Sequence, residues 1–434
     1  MKLLEHQVQG LQETKDQNRV AYYWDMGLGK TFVGSEKMRQ LGAHVNLVIC
    51  QKSKINDWIE HFESYYMDDH DVFNLTNKRE FEAFLKVAIT GDTDESYKII
   101  GVINYELTFR RPDLRFLEGF TMILDESSMI QNETAKRSKF ILRLGDRAAN
   151  VILLSGTPTG GKYEKLWSQL HLLGWRISKK LYYDQYIITD YLDNIGRIPI
   201  PIVVGYKNVD RLKRKLREHG AHFLKTDGII DLPDQVFNRI SIEPTKEYKR
   251  FKKHRYAVID DREFVGDTTL TKMLYERQLC GAYNENKLQA VKDLLQSTED
   301  NFVIFYNFNQ ELKRLKEICS SCDRQVGIIS GSEKTGEKII NYSENHNYRS
   351  TLIIQYQAGA MGLNLQNFSN RIIYYSLPLS SELFEQSKKR IHRIGQNKPC
   401  FYSILVCRNS VEEKILRALK KRQDYTEKLF ESED

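Results

Sequence analysis

Short apolar runs alternate with longer amphipathic or polar stretches along the chain, and the runs are rich in β-branched and aromatic residues. This alternation is typical of βα units built around a mostly parallel sheet. The runs fall into two sets. The first set predicts strands at residues 20–24, 47–50, 99–103, 122–124 and 151–154. The second set predicts strands at residues 302–306, 326–329, 352–355, 372–375 and 401–406.

Residues from about 170 to 301 differ in composition from the two sets of strands, because they are charged and rich in tyrosine and contain several prolines. This composition predicts a mainly helical segment between the two sets. Near the C-terminus, Val411, Ile415, Leu416 and Leu419 have helical spacing, and we expect this helix to pack back on the body. The pattern predicts an α/β protein of two lobes. The first, 1–232, carries a helical extension from about residue 170, and the second, 233–434, ends in a helix from about residue 410.

Composition agrees with a folded globular protein, since 41% of the 434 residues are hydrophobic and 28% are charged. With 65 Lys+Arg against 58 Asp+Glu, the net charge is +7. The first residues lack the apolar region of a signal peptide, and the longest apolar runs fall short of the roughly 18 residues that cross a bilayer. We therefore expect a cytoplasmic protein with no membrane partner. The six cysteines indicate neither a disulfide framework nor a zinc site.

A candidate phosphate loop, Asp-Met-Gly-Leu-Gly-Lys-Thr, occupies positions 25–31 between a predicted strand and a predicted helix. Gly27 and Gly29 would let backbone N–H groups approach phosphates, Lys30 adds a full positive charge, and Thr31 can ligate Mg²⁺. The strict phosphate-loop pattern requires glycine at position 24, where this chain has Trp24. The competing interpretation is a glycine turn with a surface lysine, which the placement between strand and helix makes the weaker one.

Two adjacent acids, Asp125 and Glu126, end the buried strand predicted at 122–124. An aspartate at the carboxyl end of such a strand can hold the Mg²⁺ that bridges phosphates, and the next glutamate can orient and deprotonate the attacking water. The alternative is that the pair only caps the following turn.

In the second lobe, Arg390 and Arg393 stand three residues apart in a stretch that we predict to be helical, so both guanidinium groups would lie on one helix face. Such a fork matches a γ-phosphate with developing charge and would make hydrolysis depend on lobe closure. The alternative is a solvated basic face that binds nucleic-acid phosphates or nothing.

An ordered series of such segments resembles the superfamily 2 helicases, and within them the Swi/Snf-type ATPases, over nearly the whole chain. The segments that carry the resemblance are 4–10 (LEHQVQG), 25–31 (DMGLGKT), 48–53 (VICQKS) with Trp58, 102–106 (VINYE), 125–132 (DESSMIQN), 154–158 (LSGTP), 166–168 (LWS), 302–305 (FVIF), 330–332 (SGS), 357–365 (QAGAMGLNL), 386–396 (QSKKRIHRIGQ) and 410–415 (SVEEKI). The resemblance implies two RecA-like lobes, each a mostly parallel sheet flanked by helices, with ATP bound between them.

The resemblance also assigns roles to individual residues. Residues implied to bind ATP are Gln7, Gly27, Gly29, Lys30, Thr31, Gly362 and Gln386. Thr31 and Asp125 would hold Mg²⁺, Glu126, Lys30, Arg390 and Arg393 would act in hydrolysis, and Ser155 and Thr157 would couple hydrolysis to movement. Residues implied to contact DNA are Lys52, Ser53, Tyr105, Gly331, Ser332 and Ala358.

Two departures from the family pattern stand out. Ser128 replaces the histidine usual in the DEAH-type motif, which affects how the acid pair couples to residues 154–158. Residues 377–380 (LPLS) replace the usual Trp-Asn-Pro before the segment at 386–396.

The leading hypothesis is an ATP-dependent motor that translocates along double-stranded DNA, contacting backbone phosphates without sequence specificity. A strand-separating helicase, serving phage or plasmid replication or recombination, is the first alternative. The alternative from another class is a catalytically silent DNA-binding or assembly subunit. The two lobes account for the whole length, so we expect a compact bacterial or phage protein without a histone-reading or nuclease module, with replication or recombination proteins as possible partners.

Overall fold

The computed structural model describes residues 2–90, 97–192, 200–343, 349–359 and 363–430. The chain divides into two compact units, Met1–Ile229 with Asp424–Asp434, and Ile230–Gln423, called unit 1 and unit 2 below.

Unit 1 is built on one parallel sheet with helices on both faces, and one hairpin stands apart from that sheet. Its strands are β1 (Arg19–Trp24), β2 (Val45–Cys50), β3 (His70–Asn74), β4 (Lys98–Asn104), β5 (Thr121–Asp125), β6 (Asn150–Ser155), β7 (Ile187–Leu192), β8 (Ile200–Tyr206) and β9 (Ala221–Leu224). Its helices are α1 (Glu5–Glu13), α2 (Lys30–Leu41), α3 (Ile55–Tyr65), α4 (Lys78–Thr90), α5 (Tyr105–Thr108), α6 (Lys136–Arg147), α7 (Trp167–Leu172), α8 (Lys179–Tyr186) and α9 (Val209–Glu218).

The strand order in the seven-stranded sheet is β3-β4-β2-β5-β6-β1-β9, and every pair is parallel. The central strands are buried on both faces, which is why they are continuous apolar runs in the sequence. β6 lies between β5 and β1, so the loops that follow these three strands meet at one edge of the sheet.

Unit 2 repeats the plan with a six-stranded parallel sheet in the order β10-β17-β16-β13-β15-β14. Its strands are β10 (Gln235–Ile242), β11 (Tyr256–Ile259), β12 (Arg262–Val265), β13 (Phe302–Tyr306), β14 (Gln325–Ile329), β15 (Ser350–Gln355), β16 (Arg371–Tyr374) and β17 (Cys400–Cys407). Its helices are α10 (Lys246–His254), α11 (Thr269–Cys280), α12 (Glu285–Gln296), α13 (Asn309–Ser321), α14 (Thr335–Ser343), α15 (Tyr356–Gly359), α16 (Ser381–Lys388) and the start of α17 (Val411–Phe430).

The two parallel sheets flanked by helices confirm the predicted fold class, and all ten strands predicted from apolar runs are present. The stretch from 170 to 301 contains the predicted helices α8 to α12 together with strands β7 to β12, which the sequence pattern did not predict. These strands lie at sheet edges or in isolated hairpins, so they lack the buried apolar runs that reveal central strands.

Helix α17 begins where its periodicity predicts, and Val411, Ile415, Leu416 and Leu419 are all buried. Its residues through Gln423 belong to unit 2, and those from Asp424 onward belong to unit 1. The carbonyl of Tyr425 accepts a hydrogen bond of 2.6 Å from the hydroxyl of Tyr163.

Candidate active site

The phosphate loop connects β1 directly to α2, as the sequence predicts. Gly27 and Gly29 have φ angles of 92° and 73°, in the left-handed region that favours glycine. A Cβ on Gly29 would lie 2.2 Å from Nε2 of Gln7, so a side chain at this position would displace the Gln7 carboxamide. The open backbone and the start of α2 form the type of cradle that receives a phosphate group.

Lys30, the first residue of α2, turns its ammonium group back over the loop. Its Nζ donates hydrogen bonds to the carbonyl oxygens of Trp24 at 2.8 Å and Asp25 at 3.0 Å. A Cβ placed on Gly156 would lie 3.5 Å from the same Nζ, so the turn after β6 packs against the lysine. Thr31 follows as the second residue of the helix and is half-buried.

The acid pair lies at the carboxyl end of β5. Glu126 has a φ of 58°, an unusual conformation for a residue other than glycine, and it begins the tight turn Ser127–Ile130. The hydroxyl of Tyr105 donates to the backbone oxygens of Asp125 and Glu126 at 3.0 and 3.3 Å. The Tyr105 side chain therefore stabilises the backbone of this strained turn.

Two serine hydroxyls donate to the same oxygen of Glu126. Ser128 reaches Oε1 at 2.9 Å from the adjacent turn, and Ser155 reaches it at 2.7 Å from the end of β6. The amide of Thr157 donates in turn to the Ser155 hydroxyl at 3.2 Å. Ser128, which stands where the family usually has histidine, thus joins the acid pair to residues 155–157 through a shared carboxylate oxygen.

Electrostatics at the acid pair reflect burial opposed by nearby donors. Burial raises the pKa of both Asp125 and Glu126, while the Lys30 charge acts in the opposite direction on each. For Asp125 the indole N–H of Trp58, which donates to Oδ2 at 2.9 Å, also favours the charged form. For Glu126 the strongest opposing contact is the Ser155 hydroxyl. A carboxylate with a raised pKa is suited to accept a proton.

A buried carboxamide, Gln169, connects the elements around the site and was missed from the sequence. Its Oε1 accepts from the hydroxyls of Tyr23 at 2.9 Å and Ser127 at 2.7 Å, and its Nε2 donates to the carbonyl of Pro158 at 2.7 Å. These contacts join β1, the turn Ser127–Ile130 that follows the acid pair, and the turn after β6. Nothing in the local sequence of α7 indicates them, because they bridge residues far apart along the chain.

Gln7, the expected adenine contact, lies beside the phosphate loop and is 4% exposed. Its Nε2 donates to the carbonyl of Leu28 at 3.2 Å, and its Oε1 accepts from the amide of Leu4 at 2.9 Å. The ring of His6 is also within hydrogen-bond distance of the Leu28 carbonyl, at 3.0 Å. Helix α1 is therefore fastened to the loop.

The expected DNA contacts of unit 1 are placed differently from one another. Lys52 and Ser53 are exposed in the single turn Lys52–Lys54 that follows β2. Tyr105 is fully buried, and its hydroxyl is engaged with the acid turn. Its placement favours support of the acid pair over the DNA contact expected from the sequence.

In unit 2, Gly331 and Ser332 are exposed just after β14, and Ala358 is half-buried in α15. Gly362 lies outside the described residues. Gln386 is 2% exposed on α16, and its Oε1 accepts no hydrogen bond from any described residue.

The helix-face prediction for Arg390 and Arg393 is wrong, because α16 ends at Lys388 and both arginines lie in the turns that follow. At this point the backbone tightens, since the amide of Arg390 donates to the carbonyl of Ser387 at 3.3 Å. The Arg390 carbonyl accepts from the amide of Leu365 at 3.0 Å, outside any helix. Nη1 of Arg390 donates to the carbonyl of Leu363 at 3.1 Å, and Nη1 of Arg393 donates to Oδ1 of Asn364. Both guanidinium groups thus contact the same short segment.

No helix in the described ranges is long and apolar enough to cross a membrane.

The phosphate loop, the acid pair and the two parallel sheets together define a helicase-type ATPase with two α/β lobes. The chain belongs to the SNF2-related family: the SNF2-related domain matches residues 22–323, and the helicase conserved C-terminal domain matches residues 286–395. The lobes are of the RecA-like type that the resemblance implies.

Several known proteins are similar to the chain in sequence. The ISWI chromatin-remodeling complex ATPase ISW1 of Saccharomyces cerevisiae is 24% identical over 92% of this chain and 37% of its own length. The mouse DNA annealing helicase and endonuclease ZRANB3 is 23% identical over 93% of this chain and 38% of its own length. An uncharacterized ATP-dependent helicase of Mycoplasma pneumoniae is 22% identical, over 97% and 41%. The chain therefore spans less than half the length of these relatives.

A solved structure, the Sulfolobus solfataricus SWI2/SNF2 ATPase core in complex with dsDNA, is also similar. It is 20% identical, with a TM-score of 0.43, and the match covers 98% of this chain and 92% of that chain.

Proposed function

We propose that the chain couples ATP hydrolysis to translocation along double-stranded DNA. The observation that carries the proposal is the set of contacts around Glu126, where Ser128 and Ser155 fix a carboxylate that also lies within the field of Lys30. This arrangement is suited to activate a water molecule beside a bound phosphate. The relatives named above, a remodeling ATPase and a DNA annealing helicase, support DNA as the track.

ATP would bind with its phosphates on Gly27, Gly29 and Lys30, and Gln7 would lie toward the adenine. The hydroxyl of Thr31 and the carboxylate of Asp125 would hold Mg²⁺, and oxygen ligands of this kind suit that ion. Magnesium bound there would neutralise phosphate charge. Glu126 would orient and deprotonate the attacking water.

Unit 2 would contribute Arg390 and Arg393 to the γ-phosphate, with Gln386 and Gly362 close to the nucleotide. The segment 363–365 already holds both arginines through the contacts described above, so a shift of that segment would move both guanidinium groups together. This supports a role for the arginines as one unit.

Contacts with DNA would come from Lys52 and Ser53 in unit 1, and from Gly331, Ser332 and Ala358 in unit 2. Helix α9 offers a further basic surface through the exposed residues Arg211 and Arg214, whereas Lys213 on the same helix is buried. Such contacts address phosphates, so no sequence specificity is expected.

The test is steady-state ATP hydrolysis without nucleic acid and with single-stranded DNA, duplex DNA or RNA. Lys30→Ala serves as the inactive control. Stimulation mainly by duplex, followed by displacement of a triplex-forming strand, supports translocation. Absence of turnover under every condition would replace the proposal with a silent DNA-binding or assembly subunit.

A strand-separating helicase is the second candidate, and the β7–β8 hairpin favours it. The two strands pair only with each other among the described residues, and Ile188, Tyr191, Val203 and Val204 expose 37–62% of their surface. Exposed apolar and aromatic side chains can stack on unpaired bases.

The two candidates are distinguished with forked duplex DNA. If the hairpin separates strands, Tyr191→Ser combined with Val203→Thr abolishes unwinding while duplex-stimulated hydrolysis remains. Tyr256→Ser, on the exposed face of the β11–β12 hairpin, is the matched control. Absence of unwinding by the unaltered protein leaves translocation as the function.

A further inference from the structure

Helix α3 begins immediately after the exposed turn Lys52–Lys54, where DNA contact is proposed. At its first residues the ammonium of Lys54 and Oδ2 of Asp57 form an ion pair of 2.5 Å. The turn and the helix are thus continuous in the chain and joined by a side-chain contact.

Further along the helix, Trp58 is 2% exposed and donates its indole N–H to Oδ2 of Asp125 at 2.9 Å. The ring is fixed by its aromatic neighbours, with its centroid 5.4 Å from that of Phe62 and 6.0 Å from that of His61. Because indole N–H is a donor only and the ring cannot turn freely, this bond sets the orientation of the Asp125 carboxylate.

The next turn of α3 reaches Thr31, the other residue proposed to hold Mg²⁺. The hydroxyl of Ser35 donates to the carbonyl of Thr31 at 2.8 Å, and its oxygen lies within hydrogen-bond distance of His61 Nε2, also at 2.8 Å. Burial lowers the pKa of His61 to about 4, so the ring is neutral at neutral pH. The hydroxyl of Tyr66 donates to the same serine oxygen at 3.2 Å.

We propose that α3 transmits DNA contact at Lys52 and Ser53 to the two magnesium-holding residues, with Trp58 as the positioning residue for Asp125. The proposal rests on the proposed function, because it explains how DNA would stimulate hydrolysis. It assigns to Trp58 no contact with nucleotide or metal. Its action is exerted through the orientation of one carboxylate.

The decisive variant is Trp58→Phe, which keeps an aromatic ring and removes the N–H. Trp167→Phe is the matched control, because Trp167 also lies in unit 1 and donates its indole N–H at 3.0 Å, in this case to the carbonyl of Ile177. Melting curves of both variants check that each one folds.

The first measurement is calorimetric binding of a non-hydrolysable ATP analogue with Mg²⁺ and with EDTA, so that no turnover is involved. Magnesium should tighten binding to the unaltered protein, and Trp58→Phe should reduce that gain about tenfold while Trp167→Phe preserves it. In an Asp125→Ala background, Trp58→Phe should have no further effect on the gain. An unchanged gain, or additive effects of the two substitutions, would overturn the assignment.

The second measurement is hydrolysis with and without duplex DNA. Trp58→Phe should bind duplex as tightly as the unaltered protein, yet lose most of the stimulation by DNA. Stimulation retained at the full level would overturn the transmission role of α3. If the unaltered protein is not stimulated by DNA, the proposed function fails. In that case the increase in analogue affinity that Mg²⁺ produces still decides whether Trp58 positions Asp125.

Discussion

The chemistry of the site concentrates on Glu126, a residue that combines a strained backbone with two hydroxyl donors to a single oxygen. The two hydroxyls fix the carboxylate through this oxygen, and a carboxylate with a fixed orientation is suited to orient a water molecule.

Glu126→Gln keeps the size of the side chain and an oxygen that the two serines can donate to, but it removes the proton acceptor. ATP and DNA affinities should therefore remain within about twofold, while turnover falls by at least about a hundredfold. Steady-state hydrolysis and calorimetry measure the two effects. Glu118→Gln, at an exposed glutamate of unit 1, is the control, and normal turnover of Glu126→Gln would remove Glu126 from the role of base.

Arg393→Ala should lower turnover far more than it lowers ATP affinity, by about a thousandfold or more if the guanidinium stabilises the transition state. Arg408→Ala, at an exposed arginine of unit 2, is the matched control. A loss confined to DNA affinity would instead place Arg393 on the surface that grips phosphates.

At this scale the sequence predicted what is local. The glycines, Lys30 and the acid pair follow strands directly, so their chain order alone indicates their neighbourhood. Trp58 belongs to a segment that carries the family resemblance, but its bond to Asp125 could not be predicted, because the two residues lie 67 positions apart. Gln169 could not be predicted either, because its partner Ser127 lies 42 residues away. The helix prediction at Arg390 is wrong, because the Arg390 carbonyl accepts from the amide of Leu365, a contact with a distant residue that local helical spacing does not indicate.

Among the elements, α17 is fastened at its start by a buried ion pair. The ammonium of Lys287 on α12 donates to Oε1 of Glu412 at 2.6 Å, with 0% and 2% of the two side chains exposed. Oε2 of Glu412 accepts from the amide of Cys407 at 3.0 Å. One carboxylate thus joins the end of β17, the first turn of α17 and α12.

Lys287→Ala leaves the Glu412 carboxylate buried without its cation and should reduce the free energy of unfolding by about 3–5 kcal/mol. Urea denaturation measures the change. Lys287→Met combined with Glu412→Gln removes both charges while keeping an acceptor for the Cys407 amide, so most of the stability should return. A double variant as unstable as Lys287→Ala would mean that lost packing, and not the unpaired charge, is responsible.

Element prediction succeeded for strands buried on both faces and failed for those that are not. β10 is an edge strand with mostly exposed residues, and β7 and β8 form an isolated hairpin, so none of them carries a continuous apolar run inside the core. The hydrophobic pattern indicates which segments are buried. It therefore indicates a strand only where that strand is buried.

For the whole molecule, the order of the motifs along the chain was sufficient to predict the family, and family models match residues 22–323 and 286–395. The mild excess of positive charge, +7 over 434 residues, is consistent with a track that is bound through its phosphates.

Duplex affinity should fall with salt in a straight line on logarithmic axes, and the slope should be the same for duplexes of unrelated sequence. Lys52→Ala should lower the slope by about 0.9 if that side chain neutralises one phosphate. Fluorescence anisotropy at a series of salt concentrations measures both quantities. A preference of more than about tenfold among the sequences would contradict backbone recognition.

The φ of 58° at Glu126 also has a consequence for directed evolution. A left-handed backbone at a residue with a Cβ costs about 1–2 kcal/mol, a cost that glycine avoids and asparagine partly avoids. A library screened for heat resistance alone would therefore accumulate glycine or asparagine at this position. The survivors would be more thermostable and unable to hydrolyse ATP, so any such screen needs a parallel assay for turnover.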